Sequence, residues 1–229
     1  MVRIAAVYNA LEELSNNVVF VGGATVSLYK DRPASETRVT DDVDIVVELA
    51  SYSGFAAIED QLRKKGFVND ADSHIICRYK INGIIVDVMP TEENILGFNN
   101  QWYPEGFRNA IEYTLPGNEK IKIFSSVYFL ASKFDAFCDR GNHDGRTSSD
   151  FEDIVFLLNN RNNIWNELNV APEPVKQYLK LEFSQLLRHD YIYEWISAHL
   201  DFGEQKRVSF IIAGLTAFIG LSESNTHAI

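Results

Sequence analysis

Residues 38–47 read RVTDDVDIVV, and this stretch decides how the first half of the chain is interpreted. It ends in a run of branched apolar residues, 45–47, which is typical of a buried β-strand. Asp42 and Asp44 stand at the start of that strand, and side chains two positions apart on a strand project from the same face. Two such carboxylates repel each other unless a cation lies between them, and Mg²⁺, which prefers oxygen ligands, is the usual one.

The segment before this strand predicts a phosphate-binding turn. Residues 18–21 (VVFV) form a short apolar run, typical of a strand, and Gly22-Gly23 follows at once, ahead of a predicted helix over residues 24–30. Glycines allow backbone N–H groups to approach a phosphate, and a helix N-terminus favours an anion. Thr25 and Ser27 lie in the same segment. An ordinary tight turn is the alternative interpretation of the glycine pair.

A β-hairpin is predicted next, because Asn82-Gly83 separates two strand-like runs, 74–81 and 84–89. The second run contains Asp87, a carboxylate that is costly to bury alone. Either a structural Arg or Lys pairs with it, or it shares the metal of Asp42 and Asp44. Three carboxylates that converge on a Gly-Gly turn fit a two-metal phosphoryl or nucleotidyl transfer site.

The order of predicted elements indicates an α+β fold followed by a helical C-terminal segment. We expect one domain over residues 1–124 and a second, helical domain over 125–229. The other predicted strands cover 43–49 and 120–124, and the predicted helices cover 4–15, 53–66, 105–113, 126–138, 149–159, 163–168, 172–189, 191–200 and 204–221.

These segments together resemble the polymerase-beta nucleotidyltransferase superfamily, and more narrowly the AbiEii/AbiGii-type nucleotidyltransferase toxin family. The likeness runs from about residue 18 to residue 161. It rests on the Gly-Gly turn, the Asp-x-Asp pair and the third Asp, and on two segments of the helical half, 129–137 (FLASKFDAF) and 149–154 (SDFEDI). The resemblance implies a polymerase-beta-like core, a mixed sheet flanked by helices.

The resemblance also implies roles for the residues of the N-terminal half. Asp42 and Asp44 would hold magnesium ions, and Asp87 would complete a second metal site and help to deprotonate the attacking group. The backbone around Gly22 and Gly23 would hold the nucleotide phosphates.

Further roles follow from the same resemblance. Either Thr25 or Ser27 would supply the hydroxyl that other members of the superfamily carry on this turn. Lys133 would reach the triphosphate or the incoming nucleotide as a mobile point charge. Asp150 would lie near the active site and take part in binding the nucleotide.

Several residues of the helical half carry two interpretations. Asp150 and Asp153 match an acidic helix start used by the family, but they also fit a capping box in which Ser149 is the N-cap and Glu152 occupies the N3 position. The loop before that helix contains cationic residues that are either phosphate or RNA contacts or simply solvated: Arg140, His143 and Arg146.

The expected activity is magnesium-dependent transfer of a nucleoside monophosphate from a nucleoside triphosphate to an acceptor hydroxyl. The toxin relatives suggest tRNA or another RNA as acceptor, with a cognate antitoxin as a possible partner; a protein or a small molecule stays open. The alternative is a nucleotide-binding sensor or a non-catalytic interaction module on the same fold.

Charge and hydropathy restrict the partners. The net charge of −11 argues against a broad RNA-binding cradle. It leaves room for a small basic patch, and its candidate members are Arg63, Lys64, Lys65, Arg78 and Lys80. The N-terminus lacks the apolar core of a signal peptide, and the longest apolar stretch, 208–221, is shorter than the roughly 20 residues that span a bilayer. We therefore expect a soluble, cytoplasmic protein with no membrane partner.

Overall fold

A computed structural model describes residues 1–33, 38, 40–48, 52–92, 100–140 and 144–220 of the 229-residue chain. The described β-strands are β1 (Val18–Val21), β2 (Asp42–Val47), β3 (Val68–Asn69), β4 (Arg78–Ile81), β5 (Ile84–Pro90), β6 (Ile111–Thr114) and β7 (Lys120–Ile123). The described α-helices are α1 (Val2–Leu11), α2 (Tyr52–Lys64), α3 (Tyr103–Arg108), α4 (Ser126–Arg140), α5 (Ser149–Asn160), α6 (Ile164–Asn169), α7 (Glu173–Leu187), α8 (Ile192–Ala198) and α9 (Arg207–Ile219). Short 3₁₀ helices cover Glu12–Asn17, Gly23–Tyr29 and Phe202–Glu204.

The chain divides into two compact units. The first comprises Met1–Ser27 and Arg38–Ser125, and the second comprises Leu28–Thr37 and Ser126–Ile229. The first unit contains a mixed seven-stranded sheet with helices, and the second contains the helical segment α4–α9. The predicted α+β class with a helical C-terminal segment is therefore confirmed.

The sheet of the first unit has the strand order β3-β4-β5-β2-β1-β7-β6. Strand β2 lies near its centre, antiparallel to β1 and parallel to β5. The predicted hairpin is confirmed: β4 and β5 are antiparallel, and both turn residues have positive φ, 50° at Asn82 and 78° at Gly83. The hairpin places β5 beside β2 and thereby brings Asp87 next to the Asp-x-Asp strand.

One face of the sheet is covered by helices α1 and α2. A small cavity there is lined by Ile45, Val47 and Val88 from the sheet and by Leu11 and Leu62 from the two helices. Because successive side chains on a strand alternate between faces, the even-numbered residues of β2 lie on the other face. The two aspartates of β2 are therefore kept away from the apolar face that packs against α1 and α2.

Several elements of the first unit differ from the sequence-based prediction. The helix predicted over 105–113 is the shorter helix α3, and the edge strand β6 begins at Ile111. The helix predicted over 24–30 is a 3₁₀ helix, and the strand predicted from residue 74 begins only at Arg78. Residue 49, the predicted end of the second strand, lies outside the described residues.

Aromatic side chains form much of the core of the second unit. The ring of Phe183 lies 5.2 Å from that of Phe134 and 5.6 Å from that of Phe218. The segment Leu28–Thr37 joins this unit through Tyr29, whose ring packs 4.6 Å from Phe129. Contacts of this kind tie a short stretch of the N-terminal half to the helical segment.

The described helices are short compared with a bilayer. Helices α4 and α7 are 15 residues long, whereas a helical span takes about 20 apolar residues. Among the described residues, no helix combines the length and the apolar composition that crossing a membrane requires.

Candidate functional site

Three carboxylates meet on the central strands of the first unit. Asp42 and Asp44 belong to β2, and Asp44 stands directly opposite Asp87 in the parallel pairing of β2 with β5. One carboxylate oxygen of each residue lies within 4.8 Å of the others. The predicted convergence of the three side chains is therefore present, and we call this group the carboxylate cluster.

The carboxylate cluster is buried at one end and open at the other. The side chain of Asp87 is 10% exposed, whereas that of Asp42 is 38% exposed. The accessible end leaves room for an ion and a ligand to enter, and the buried end lies in an environment that strengthens electrostatic interactions.

Arg78 binds the buried end of the carboxylate cluster. Its Nε donates to Oδ1 of Asp87 at 2.8 Å and its Nη2 to Oδ2 at 2.7 Å, while Nη2 also lies 3.6 Å from Oδ2 of Asp42. The hydrogen bond with Asp87 raises the pKa of Arg78 above its ordinary value, so the guanidinium keeps its charge. The first predicted alternative for Asp87, a structural arginine partner, is therefore present, and Asp87 also lies within the carboxylate cluster.

The Gly-Gly turn lies against the carboxylate cluster. Gly22 has a φ of +69°, and a Cβ atom at this position would stand 1.8 Å from Oδ2 of Asp44. A Cβ atom at Gly23 would stand 2.2 Å from Nη2 of Arg38. Only glycine allows the backbone to come this close to Asp44.

The carboxylate cluster fits a hard divalent cation. Its donors are carboxylate oxygens, the ligand type that Mg²⁺ prefers, and because Gly22 has no Cβ atom, Oδ2 of Asp44 can lie against the backbone of the turn. The predicted magnesium site thus has suitable donors in Asp42, Asp44 and Asp87.

The two candidate hydroxyls of the turn have different surroundings. The hydroxyl of Thr25 donates to the carbonyl oxygen of Gly22 at 2.9 Å, as does its backbone N–H at 3.1 Å, and the residue is fully buried. Ser27 is partly buried. The Thr25 side chain therefore fixes the shape of the turn.

Cys77 lies next to Arg78 in the chain and is buried. Burial, together with the charge of Asp87, raises the pKa of its thiol to about 11. The thiol is therefore protonated at neutral pH, and it is unsuited to act as a nucleophile or as a metal ligand beside the carboxylate cluster.

Lys133 and Asp150, which the resemblance assigns to nucleotide binding, lie in the second unit and bind each other. Nζ of Lys133 is 3.0 Å from Oδ1 of Asp150 and 2.7 Å from Oδ2 of Asp153, and these three side chains are 7%, 5% and 1% exposed. Arg140 adds hydrogen bonds to both oxygens of Asp150, at 3.0 and 3.3 Å. We call these four residues the lysine–aspartate cluster.

In this cluster, the neighbouring opposite charges together have a larger effect on the pKa values of Lys133 and Asp150 than burial has. Burial opposes the charged form of Lys133, but Asp153 and Asp150 raise its pKa above the ordinary value. Burial likewise opposes ionisation of Asp150, but Lys133 and Arg140 lower its pKa. Lys133 and Asp150 therefore carry their charges within the fold at neutral pH.

The capping interpretation of Asp150 and Asp153 is wrong in its details. Ser148, and not Ser149, is the N-cap of α5, and its hydroxyl accepts a hydrogen bond from the backbone N–H of Phe151 at 3.3 Å. The shift by one residue places Phe151 rather than Glu152 at N3. Both aspartates bind Lys133 instead of capping the helix.

Acid should destabilise the fold through Asp150. We expect the free energy of unfolding to fall as the pH is lowered from 3.8, the ordinary pKa of the side chain, through its lower folded-state pKa. In that range the unfolded chain binds the proton more readily than the folded chain. Urea unfolding at a series of acidic pH values measures the effect, and Asp150→Asn should show a shallower dependence. Equal dependence in the two proteins would contradict the assignment.

Arg146 and most members of the predicted basic patch make ion pairs. Arg146 contacts Asp144 and Glu194, and His143 lies outside the described residues. Four members of the predicted basic patch are paired with carboxylates: Arg63 with Glu59 and Asp60, Lys65 with Glu12 and Glu13, Arg78 with Asp87, and Lys80 with Asp70. These pairs leave the first unit with less free positive charge than the sequence alone suggests.

No protein-family model matches the sequence, and no curated protein matches it. The case for a function therefore rests on the carboxylate cluster and the Gly-Gly turn, together with the resemblance of the motifs.

Proposed function

We propose that the protein is a magnesium-dependent nucleotidyltransferase that moves a nucleoside monophosphate from a nucleoside triphosphate to an acceptor hydroxyl and releases pyrophosphate. The observation that carries the proposal is the convergence of oxygens from Asp42, Asp44 and Asp87 within 4.8 Å of one another, beside Gly22. The resemblance of the same segments to the AbiEii/AbiGii-type toxin family supports it further.

Each part of the carboxylate cluster has a role in this proposal. Asp42 and Asp44 would hold the ion, and bound Mg²⁺ supplies positive charge that stabilises the phosphoryl oxygens in the transition state. The backbone of Gly22 and Gly23, which lies against Asp44 and the guanidinium of Arg38, would hold the triphosphate. Asp87 accepts the proton of the acceptor hydroxyl, since each carboxylate oxygen bound to Arg78 retains a second lone pair.

The acceptor is proposed within three classes: tRNA or another RNA, a protein, or a small molecule. The ion pairs of the predicted basic patch and the net charge of −11 speak against an extended RNA-binding surface on the first unit. A toxin-like role implies that expression of the protein arrests growth and that an antitoxin relieves the arrest.

A transfer assay tests the proposal. Purified protein is incubated with Mg²⁺, each of four α-labelled nucleoside triphosphates, and bacterial RNA, lysate protein or a small-molecule extract. We expect the label to enter one acceptor class, and the transfer to fall to background with a chelator or in Asp42→Ala. Transfer that persists in Asp42→Ala, or the absence of label from every acceptor class, would contradict the proposal.

The second candidate function is a nucleotide-binding sensor, favoured by one observation. Both oxygens of Asp87 are already engaged by Arg78, which is the arrangement expected if this carboxylate has a structural role. The two functions differ in the assay: a sensor retains the triphosphate intact, whereas a transferase releases pyrophosphate.

A further inference from the structure

We infer that Arg78 takes the place of a second divalent cation at the carboxylate cluster, so that the cluster holds one divalent ion. The inference rests on the proposed function for the choice of ion. It replaces the two-metal arrangement expected from the sequence with one metal ion and one guanidinium.

The first step is the contact between Arg78 and Asp87. A guanidinium is a rigid, planar donor whose geometry matches a carboxylate, and here it donates to both oxygens, at 2.8 and 2.7 Å. The negative charge of Asp87 is therefore compensated inside the fold. A divalent ion that used the remaining lone pairs of these two oxygens would be repelled by the guanidinium bound to the same carboxylate.

The second step is the position of Arg78 between two of the carboxylates. Its Nη2 atom lies 2.7 Å from Oδ2 of Asp87 and 3.6 Å from Oδ2 of Asp42. One positive group thus already links a carboxylate of β5 with a carboxylate of β2. Linking carboxylates from neighbouring strands is the structural role that a second metal ion would have.

The third step is that the fold fixes Arg78 in place. Arg78 is the pairing partner of Asp87 in the β4–β5 hairpin, and the two-residue turn at Asn82-Gly83 sets this register. A guanidinium does not lose its proton at any pH at which the protein is folded. A chelator can remove a metal ion from the carboxylate cluster, but it cannot remove this charge.

Counting bound Mn²⁺ tests the inference. Mn²⁺ takes the same oxygen ligands as Mg²⁺, and the spectrum of free Mn²⁺ in electron paramagnetic resonance gives the number of ions bound per chain. We expect one equivalent for the wild type and two for Arg78→Gln, with spin–spin broadening between the two bound ions. Arg63→Gln, which removes an arginine paired with Glu59 and Asp60 on α2, should stay at one.

Two more variants keep the test decisive. Asp87→Asn in the Arg78→Gln background should abolish the additional equivalent, and Asp87→Asn alone should keep one ion. If Arg78→Gln does not fold, the number of Mn²⁺ ions bound by the wild type and by Asp87→Asn still tests the inference, which expects one ion in each. Two ions in the wild type, or one ion in folded Arg78→Gln, would overturn the inference.

The outcomes separate this inference from the proposed function. Two Mn²⁺ ions in a wild-type protein that transfers nucleotides would overturn the inference alone. One bound ion without nucleotide transfer would overturn the proposed function but would still support the inference that the carboxylate cluster holds one divalent ion. No bound ion under any condition would overturn both.

Discussion

Replacement of Lys133 by methionine is expected to lower the free energy of unfolding by about 3–5 kcal/mol. Methionine fills a similar volume, so the main change is the loss of one buried positive charge. The ammonium group lies 3.0 Å from Asp150 and 2.7 Å from Asp153, whose side chains are almost fully buried. Without this ammonium group, the buried carboxylates of Asp150 and Asp153 lose one of their main positively charged partners.

Urea unfolding at neutral pH measures this effect, with matched variants for comparison. Lys206→Met removes an exposed lysine before α9 and should change the free energy of unfolding by less than about 0.5 kcal/mol. The double variant Lys133→Met with Asp153→Asn should recover part of the loss, because a neutral amide is less costly to bury than a carboxylate. A loss below about 1 kcal/mol in Lys133→Met would show that solvent screens the lysine–aspartate cluster.

The stability of Lys133 variants also affects how their activity is interpreted. Sequence resemblance assigns Lys133 to the triphosphate, whereas the structure places its Nζ between two carboxylates. An inactive Lys133 variant supports a nucleotide-binding role only if it is folded under the assay conditions. The unfolding measurement therefore comes before the transfer assay for this residue.

The pairing of Arg78 with Asp87 can be predicted from the sequence. Asn82-Gly83 predicts a two-residue hairpin turn, and such a turn fixes the register of both strands. Arg78 is the fourth residue before Asn82 and Asp87 is the fourth after Gly83, so the two must face each other. Net charge alone makes Arg78 only a candidate member of a basic patch, whereas the register of the hairpin identifies it as the arginine partner of Asp87.

Other features depend on tertiary packing that local sequence does not contain. Strand β6 lies at the edge of the sheet and has only four residues, so its alternation of apolar and polar residues is too short to distinguish it from the end of the helix predicted over 105–113. The lysine–aspartate cluster arises because α4 packs against α5, which buries Asp150 and Asp153 against Lys133. Ser149 and Glu152 fit a capping box because that motif depends only on residues close in sequence. The burial of Asp150 and Asp153 depends on a different helix, α4, and is not visible in the local sequence.

Replacement of Gly22 by alanine is expected to weaken Mn²⁺ binding by at least about tenfold, the range seen when groups that orient metal ligands are changed. The added Cβ atom would stand 1.8 Å from Oδ2 and 3.0 Å from Cβ of Asp44, so this carboxylate must move. Nucleotide transfer should fall with it, because Asp44 is a proposed ligand of the ion. The backbone adds a cost of about 1–2 kcal/mol in stability, since φ at Gly22 is +69°.

The variant Gly83→Ala separates these two effects. Gly83 has a similar φ, +78°, but a Cβ atom there would meet nothing within 4 Å. Gly83→Ala should therefore lose roughly 1–2 kcal/mol of the free energy of unfolding through backbone strain, and Gly22→Ala at least as much because Asp44 must also move, while only Gly22→Ala loses Mn²⁺ affinity and transfer. Equal loss of Mn²⁺ affinity in the two variants would mean that backbone strain alone impairs the site. Unchanged affinity in Gly22→Ala would mean that Asp44 does not hold the ion, because the ligand that this substitution displaces is Asp44.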